Sequence, residues 1–302
     1  MTPSFPLAAD AAAAPLAFVE VKAFGDLTIT AASLRRLPAD CLARSMLVIG
    51  SHLADLCRVL APPCKVEVIE TGCTGVPALF DLKKSGLRRA AVSAFHLRRA
   101  VSGSAPGRRL VFECLRRRER FVAGRRDAIA VPGAANIYQA YQSFLESAFC
   151  DVSLAPIEGT SRVQAELPRR VGLFPLSRVA TKNCPPPLVA EIARHCLQRG
   201  FEPVIVLLEG EDFEAPSGIE LVRIPRRFDA LATEIARLGA VISTDSLPAH
   251  LAGYAGRPVF VVSPVPNEYW FPASVFAHRN WALFSAPDAL DERLDSFLSD
   301  LT

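Results

Sequence analysis

Asp245 and Ser246 stand where the stretch AVIST (240–244), suited to a buried strand, gives way to SLPAHLAGY, suited to a helix. Asp245 can accept hydrogen bonds from sugar hydroxyls. Ser246 can offer a hydroxyl to a phosphate. The first-turn amides behind it, from Leu247 on, lack intrahelical partners and sit at the positive end of the helix dipole. Pro248 removes an N–H that the first turn does not need. His250 follows one turn on, placed either to meet a ligand or to fix the helix's packing. Asp245 or Ser246 would serve equally as an ordinary N-cap worth about 1 kcal/mol, so spacing alone leaves both readings open.

Two further junctions carry residues of the same kind. Lys182 lies in the loop RVATKNCPPP, ahead of a helix opened by Pro185, Pro186 and Pro187. A lysine there can neutralise a departing diphosphate as a point charge. Gly25-Asp26 follows the first apolar strand, and an aspartate at that tight turn, facing a cleft, can take a proton from an acceptor hydroxyl. Its plain alternative is again a helix N-cap.

These residues need a scaffold that places strand ends beside helix starts, and the rest of the chain predicts one. In the first half, LAFVEVKAF (16–24), SMLVIGS and KVEVIE read as strands, with LTITAASLRRL, HLADLCRVLA and VPALFDLKKSG as helices between and after them. Residues 90–150 are less regular, although NIYQAYQSFLESAF (136–149) has helical spacing. In the second half, strands RRVGLFPLS (169–177), EPVIVLL, IELVRI, AVIST and PVFVVS alternate with helices. LVAEIARHCLQRG closes on Gly200 as a helix stop. Short Val/Ile-rich strands separated by helices indicate parallel sheets covered on both faces. The expected fold class is α/β: two Rossmann-like domains, 1–155 and 165–302, facing each other across a cleft. Residues 1–15 are expected to form a flexible tail. The amphipathic last helix, PDALDERLDSFLSDL, could pack on either domain.

With 302 residues, half of them hydrophobic, the chain can bury a substantial core. No apolar run reaches the roughly 18–20 residues of a membrane span, and the N-terminus lacks the basic start of a signal peptide. Eight cysteines, at 41, 57, 64, 73, 114, 150, 184 and 196, form no CxxC pair. They read as reduced, mostly buried thiols of a cytoplasmic protein rather than metal ligands. The formal charge of +3 hides a block from Lys83 to Arg126 with 14 Lys or Arg against two acids, Glu113 and Glu119. Such a block suits a phosphorylated lipid, an anionic membrane face or nucleic acid, or is simply a solvated face.

FVEVKAFGDLTITAASLRRLP, FPLSRVATKNCPPPLVAEIARHCLQRGFEPVIVL and GAVISTDSLPAHLAGYAGRPVFVVSP together resemble glycosyltransferase family 9, the heptosyltransferases. The blocks occur in the order that family shows. The resemblance implies a GT-B fold and inverting, metal-independent transfer from a nucleotide sugar, ADP-heptose in the best-known members. The implied acceptor is a saccharide hydroxyl of a lipopolysaccharide core or similar anionic glycan, at the inner face of a bacterial inner membrane. Asp26 would be the general base and Lys182 would sit at the donor phosphates. Asp245 would hold the donor sugar, while Ser246 and the amides after it, in the turn that Leu247 and Pro248 open, hold the diphosphate. Ser177, Glu214 (or Glu209) and His250 would line the donor site, and Gly25, Arg98 and Arg99 the acceptor site. No cofactor and no metal ion is implied.

The chain departs from that pattern at the central loop, which is Leu176-Ser177 instead of Gly-Ser. Cys184 replaces a tryptophan, and Asp-Ser stands for Asp-Thr. These departures leave a second reading, a sugar-nucleotide-binding scaffold that has lost turnover. A third is another two-domain α/β enzyme such as a sugar-nucleotide epimerase. No GxGxxG follows a strand, which argues against NAD, and no RNP-like motif accompanies the arginines, which argues against RNA.

Overall fold

A computed structural model describes residues 15–71, 75–80, 82–112, 121–122, 134–149, 152–154 and 168–302. Cys73, Cys114, Cys150, Glu113, Glu119, the arginines at 116, 117, 118, 120, 125 and 126, the linker around 155–167 and nearly all of the predicted tail lie outside the described residues. The chain divides into two compact units. One holds 1–134 and 140–155, the other 135–139 and 156–302.

In the first unit, β1 (Leu16–Glu20), β2 (Ser45–Gly50), β3 (Lys65–Ile69) and β4 (Arg109–Val111) form a parallel sheet in the order β3-β2-β1-β4. Helices α1 (Phe24–Leu34), α2 (Ala39–Ala43), α3 (Ala54–Leu60) and α4 (Leu82–Ser104) connect them, and α5 (Ile137–Ala148) follows. Every residue of β1 and β2 is buried, as sheet interiors covered on both faces require. The edge strand β3 alternates charge with valine and stays half-open to solvent.

Two expectations for this half need correction. The predicted helix 76–86 is a short turn at Ala78–Phe80, and a separate helix runs from Leu82 to Ser104. It bends at Gly86, whose φ of 75° belongs to the left-handed region that glycine enters without penalty. Beyond the bend, Ala90, Ala94, Leu97 and Val101 recur at helical spacing and are buried. The first strand ends at Glu20, so Gly25-Asp26 is no tight turn after it; both residues belong to the first turn of α1.

In the second unit, β5 (Arg170–Phe174), β6 (Glu202–Leu208), β7 (Glu220–Ile224), β8 (Ala240–Thr244), β9 (Val259–Ser263) and β10 (Trp281–Leu283) form a parallel sheet in the order β10-β9-β8-β5-β6-β7. Around it run α6 (Pro186–Gln198), α7 (Phe228–Arg237), α8 (Leu247–Tyr254), α9 (Ala273–His278) and α10 (Pro287–Ser299). Gly200, φ 76°, ends α6: its N–H reaches the Leu197 carbonyl while that of Phe201 reaches Cys196. That pair of bonds satisfies carbonyls a helix end otherwise leaves open. The last helix buries Leu290, Leu294, Phe297 and Leu298 in this unit's core, with Val171, Ile205, Ile242 and Phe260. Cys184 and Cys196 lie in the same core, where burial pushes each thiol up to about 12. Among the described residues no helix is long and apolar enough to cross a membrane.

Candidate functional site

Each sheet has a point where the strand order reverses. In the second unit the chain runs from β5 outward to β6 and β7, then crosses to β8 on the other side of β5. Loops after two such strands diverge and leave a crevice beyond the carboxyl ends, the usual ligand site of open parallel sheets. The loops after β5 and β8 carry Lys182 and Asp245, two of the residues singled out in the sequence.

Lys182 ends a single turn, Ala180–Lys182. Its Nζ donates to Asp245 Oδ2 at 2.6 Å and to the Asp245 backbone carbonyl at 3.3 Å. Asn267, in the loop after β9, donates from Nδ2 to the same carboxylate oxygen at 2.8 Å. Asp245 is buried, whereas the Lys182 side chain keeps about a third of its surface exposed (29%). A buried carboxylate needs such partners, because removing Lys182 leaves its charge uncompensated and removing Asn267 takes away a hydrogen bond. An ammonium has three donors, so a lysine held by two contacts to Asp245 retains one for an incoming oxygen.

The N-cap alternative for Asp245 and Ser246 does not hold. Ser246 occupies the cap position of α8, φ −155°, but its side chain caps no amide. Its hydroxyl donates back to the Thr244 carbonyl at 3.2 Å, and Asp245 turns toward Lys182 and Asn267. His250 is buried, its Nδ1 3.3 Å from the Tyr138 hydroxyl with the two rings stacked. Burial brings its pKa down to about 4, with the Asp245 charge opposing and the Lys182 charge assisting, so the imidazole is neutral at pH 7. Ser177 takes part in the loop's own order: its N–H donates to Asn183 Oδ1 at 2.8 Å and its hydroxyl accepts from the Val179 N–H at 3.3 Å. A cavity of about 520 Å³ opens nearby, lined by residues that include Leu176, Asn183, Asp212, Phe213 and Glu214. That volume falls within the range of small-molecule sites. Glu214, of the two acids considered in that loop, lines it, while the Glu209 backbone is tied to Ile224 and Arg226.

In the first unit the reversal falls between β1 and β4, and the loop and helix start after β1 carry Gly25 and half-buried Asp26. Behind them lies a residue that sequence reasoning missed. Glu20, the last residue of β1, is 1% exposed. Its Oε1 accepts from the Thr30 hydroxyl at 2.6 Å and the Tyr141 hydroxyl at 3.2 Å, and Oε2 is buried without a hydrogen-bond partner. Burial raises its pKa to about 7, and the Asp26 charge pushes in the same direction. An acid inside the otherwise apolar LAFVE was the available signal. Asn267, Tyr138 and Asn183 were likewise missed; Asn267 stands at a strand end beside β8 and was open to the same junction argument. Arg98 and Arg99 lie on the exposed face of α4, where Arg98 donates to the Phe121 carbonyl at 3.3 Å.

One other cluster has ligand-type atoms close together: among the described residues, Glu191, His195 and Asp291 bring theirs within 4.8 Å of one another. His195 sits between Asp291 and Asp295, at 3.1 Å from each, and Arg194 already pairs with Glu191. The cluster therefore reads as an ion-pair tie between α6 and α10.

No protein-family model and no curated protein matches the chain. Solved structures do. A family 9 glycosyltransferase from Veillonella parvula aligns over 95% of this chain and 98% of its own, with a TM-score of 0.63 at 14% identity. The E. coli heptosyltransferase WaaC, solved with ADP, aligns over 95% of this chain and 100% of its own, with a TM-score of 0.61 at 11% identity. The E. coli ADP-heptose lipopolysaccharide heptosyltransferase II gives 94% and 98%, with a TM-score of 0.56 at 14% identity. At such identities the likeness speaks for architecture, and the conclusion is one of fold: this chain has the GT-B fold of the family 9 heptosyltransferases.

Proposed function

We propose that this protein is an inverting, metal-independent glycosyltransferase. It moves a sugar from a nucleotide donor, with ADP-heptose favoured, onto a saccharide hydroxyl of a lipopolysaccharide core or similar anionic glycan. The proposed place of action is the cytoplasmic face of a bacterial inner membrane. The observation that carries the reading is the Lys182–Asp245–Asn267 constellation at a strand-order reversal, directly ahead of helix α8. The resemblance of the three sequence blocks, and a neighbour solved with an ADP-fluoroheptose (TM-score 0.60, 12% identity), favour ADP-heptose as donor.

In this mechanism Asp26 accepts the proton of the acceptor hydroxyl. The oxygen forms its bond to the anomeric carbon as the bond to the diphosphate breaks on the opposite face. Positive charge builds on the sugar ring and negative charge on the leaving phosphate. Lys182, steered by Asp245, and the first-turn amides of α8 at Ser246, Leu247 and beyond stabilise that leaving group. Fixed cationic and dipolar groups perform there the charge neutralisation that other transferases assign to a metal. Glu214 and Ser177 contribute to the donor cavity, and His250, neutral and packed on Tyr138, shapes the start of α8. Gly25, Arg98 and Arg99 serve the anionic acceptor.

The test is ADP release from ADP-heptose in EDTA, with and without a heptose-deficient core oligosaccharide. Acceptor-dependent release, with an inverted product anomer by NMR, is expected. Asp26→Ala should abolish it while ADP still binds, and substantial remaining turnover would remove Asp26 from its role. ADP binding without turnover on any acceptor would favour the scaffold reading instead.

A further inference from the structure

Helix α4 carries two stripes. Ala90, Ala94, Leu97 and Val101, at spacings of four, three and four, are buried. The same spacing displaced to the opposite side selects Arg88, Val92, Phe95 and Arg99. There Val92 is 54% and Phe95 66% exposed; Leu87, just past the bend at Gly86 and one turn ahead of Ala90, is 82% exposed. Phe121, itself on the surface, packs edge-on against Phe95 with ring centroids 5.1 Å apart, and the Arg98 guanidinium lies 5.1 Å above the Phe121 ring. From Ser85 to Ser104 the sequence has four arginines and no acid. An exposed helix surface usually puts polar groups outward; this one leaves Leu87, Val92 and Phe95 exposed among arginines.

We propose that the exposed surface of α4 docks on an anionic lipid surface, with Leu87, Val92 and Phe95 entering the headgroup boundary and Arg88 and Arg89 meeting lipid phosphates. Apolar side chains flanked by basic ones on one helical face are the pattern of interfacial helices. Each basic residue near such a surface adds attraction that salt screens. Nucleic acid fits the face less well: Leu87 and Val92 are aliphatic and offer a base no stacking plane. A second copy would bring like charges together. A small soluble anion would leave three apolar side chains unexplained. The inference extends the acceptor half of the proposed function but does not depend on donor chemistry.

The experiment is vesicle co-sedimentation of the full chain without nucleotide. It compares phosphatidylcholine vesicles with phosphatidylcholine–phosphatidylglycerol vesicles at low and high salt. Binding to the anionic vesicles alone, weakened by salt, is expected. The paired substitutions Leu87→Ser with Phe95→Ser, and Arg88→Glu with Arg89→Glu, should each weaken it by roughly tenfold or more. Arg88, Arg89 and Phe95 lie off the buried stripe and Leu87, in line with it one turn ahead of Ala90, is exposed, and unchanged circular dichroism and ADP binding serve as the folding control. Absence of binding, equal binding to both vesicle types, or full binding by the Leu87/Phe95 variant would overturn the proposal. Vesicle docking by a protein that binds no nucleotide would sink the transferase reading and leave this one standing.

Discussion

At the scale of single residues, Asp245 is a carboxylate whose sequence setting suggests sugar binding and whose structural setting is ionic. Its Oδ2 is held by Lys182 and Asn267, so its first effect is to aim an ammonium. Asp245→Ala should therefore act twice. It removes partners from Lys182 and Asn267, destabilising the fold by about 1–3 kcal/mol in urea unfolding, and it weakens nucleotide binding by releasing Lys182. Asp245→Asn should recover part of the stability and little of the binding. Glu20 supplies the residue-scale prediction on pH. Its pKa is near 7 in the fold against 4.5 as a free side chain, so the folded state holds a proton that the unfolded chain releases. The contribution is full below about pH 4.5 and is lost as pH rises through 7, by a few kcal/mol at most. Glu20→Gln should flatten the fall in stability across that window, measured by urea unfolding at successive pH values. A fall as steep as in the unsubstituted protein would exclude Glu20 as its source. The shift itself was not legible in the sequence, because it needs Thr30 and Tyr141, 10 and 121 residues away, to close over the carboxylate.

At the scale of elements, most of what the sequence offers is periodicity and punctuation, and both served well where they were strong. Gly200 was legible as a helix stop because only glycine enters φ 76° without strain. Gly200→Ala should accordingly cost about 1–2 kcal/mol in thermal unfolding; no measurable loss would mean that the α6 terminus refolds another way. The strands β6, β8 and β9 were plain from their Val/Ile runs, and β5 from the short apolar stretch VGLF. Helix α4 was read wrongly for a local reason: Gly86 looks like a terminus, and the arginines beyond it mask an apolar repeat with only two large side chains, Leu97 and Val101. Strand β4 is three residues long and pairs with β1 across 93 positions, Leu16 to Arg109; no window of sequence carries that. The N-cap reading failed differently. Ser246 has the cap position and the right side chain, but the hydroxyl's partner is chosen by Thr244, which the junction's composition does not reveal.

At the scale of the whole molecule, two parallel sheets each reverse their strand order once, and each reversal puts forward one of the residues on which the chemistry is argued, Asp26 and the Lys182–Asp245 pair. The alternation of strands and helices made that architecture legible. The reversals themselves follow from pairing across the sheet and were not. The asymmetry of charge is a whole-chain property as well, and in α4 it acquires a defined face. A general base contributes typically 10²–10⁴ to a rate, so Asp26→Asn should lower transfer by at least about 10² while donor affinity stays within about twofold. The most direct test of the central claim is calorimetric titration of ADP in EDTA into the unsubstituted protein, Lys182→Gln and Asp26→Asn. Binding should be clear for the first and third and roughly tenfold or more weaker for Lys182→Gln, the loss of one charge-assisted bond. No binding to the unsubstituted protein, or binding indifferent to Lys182, would contradict the account.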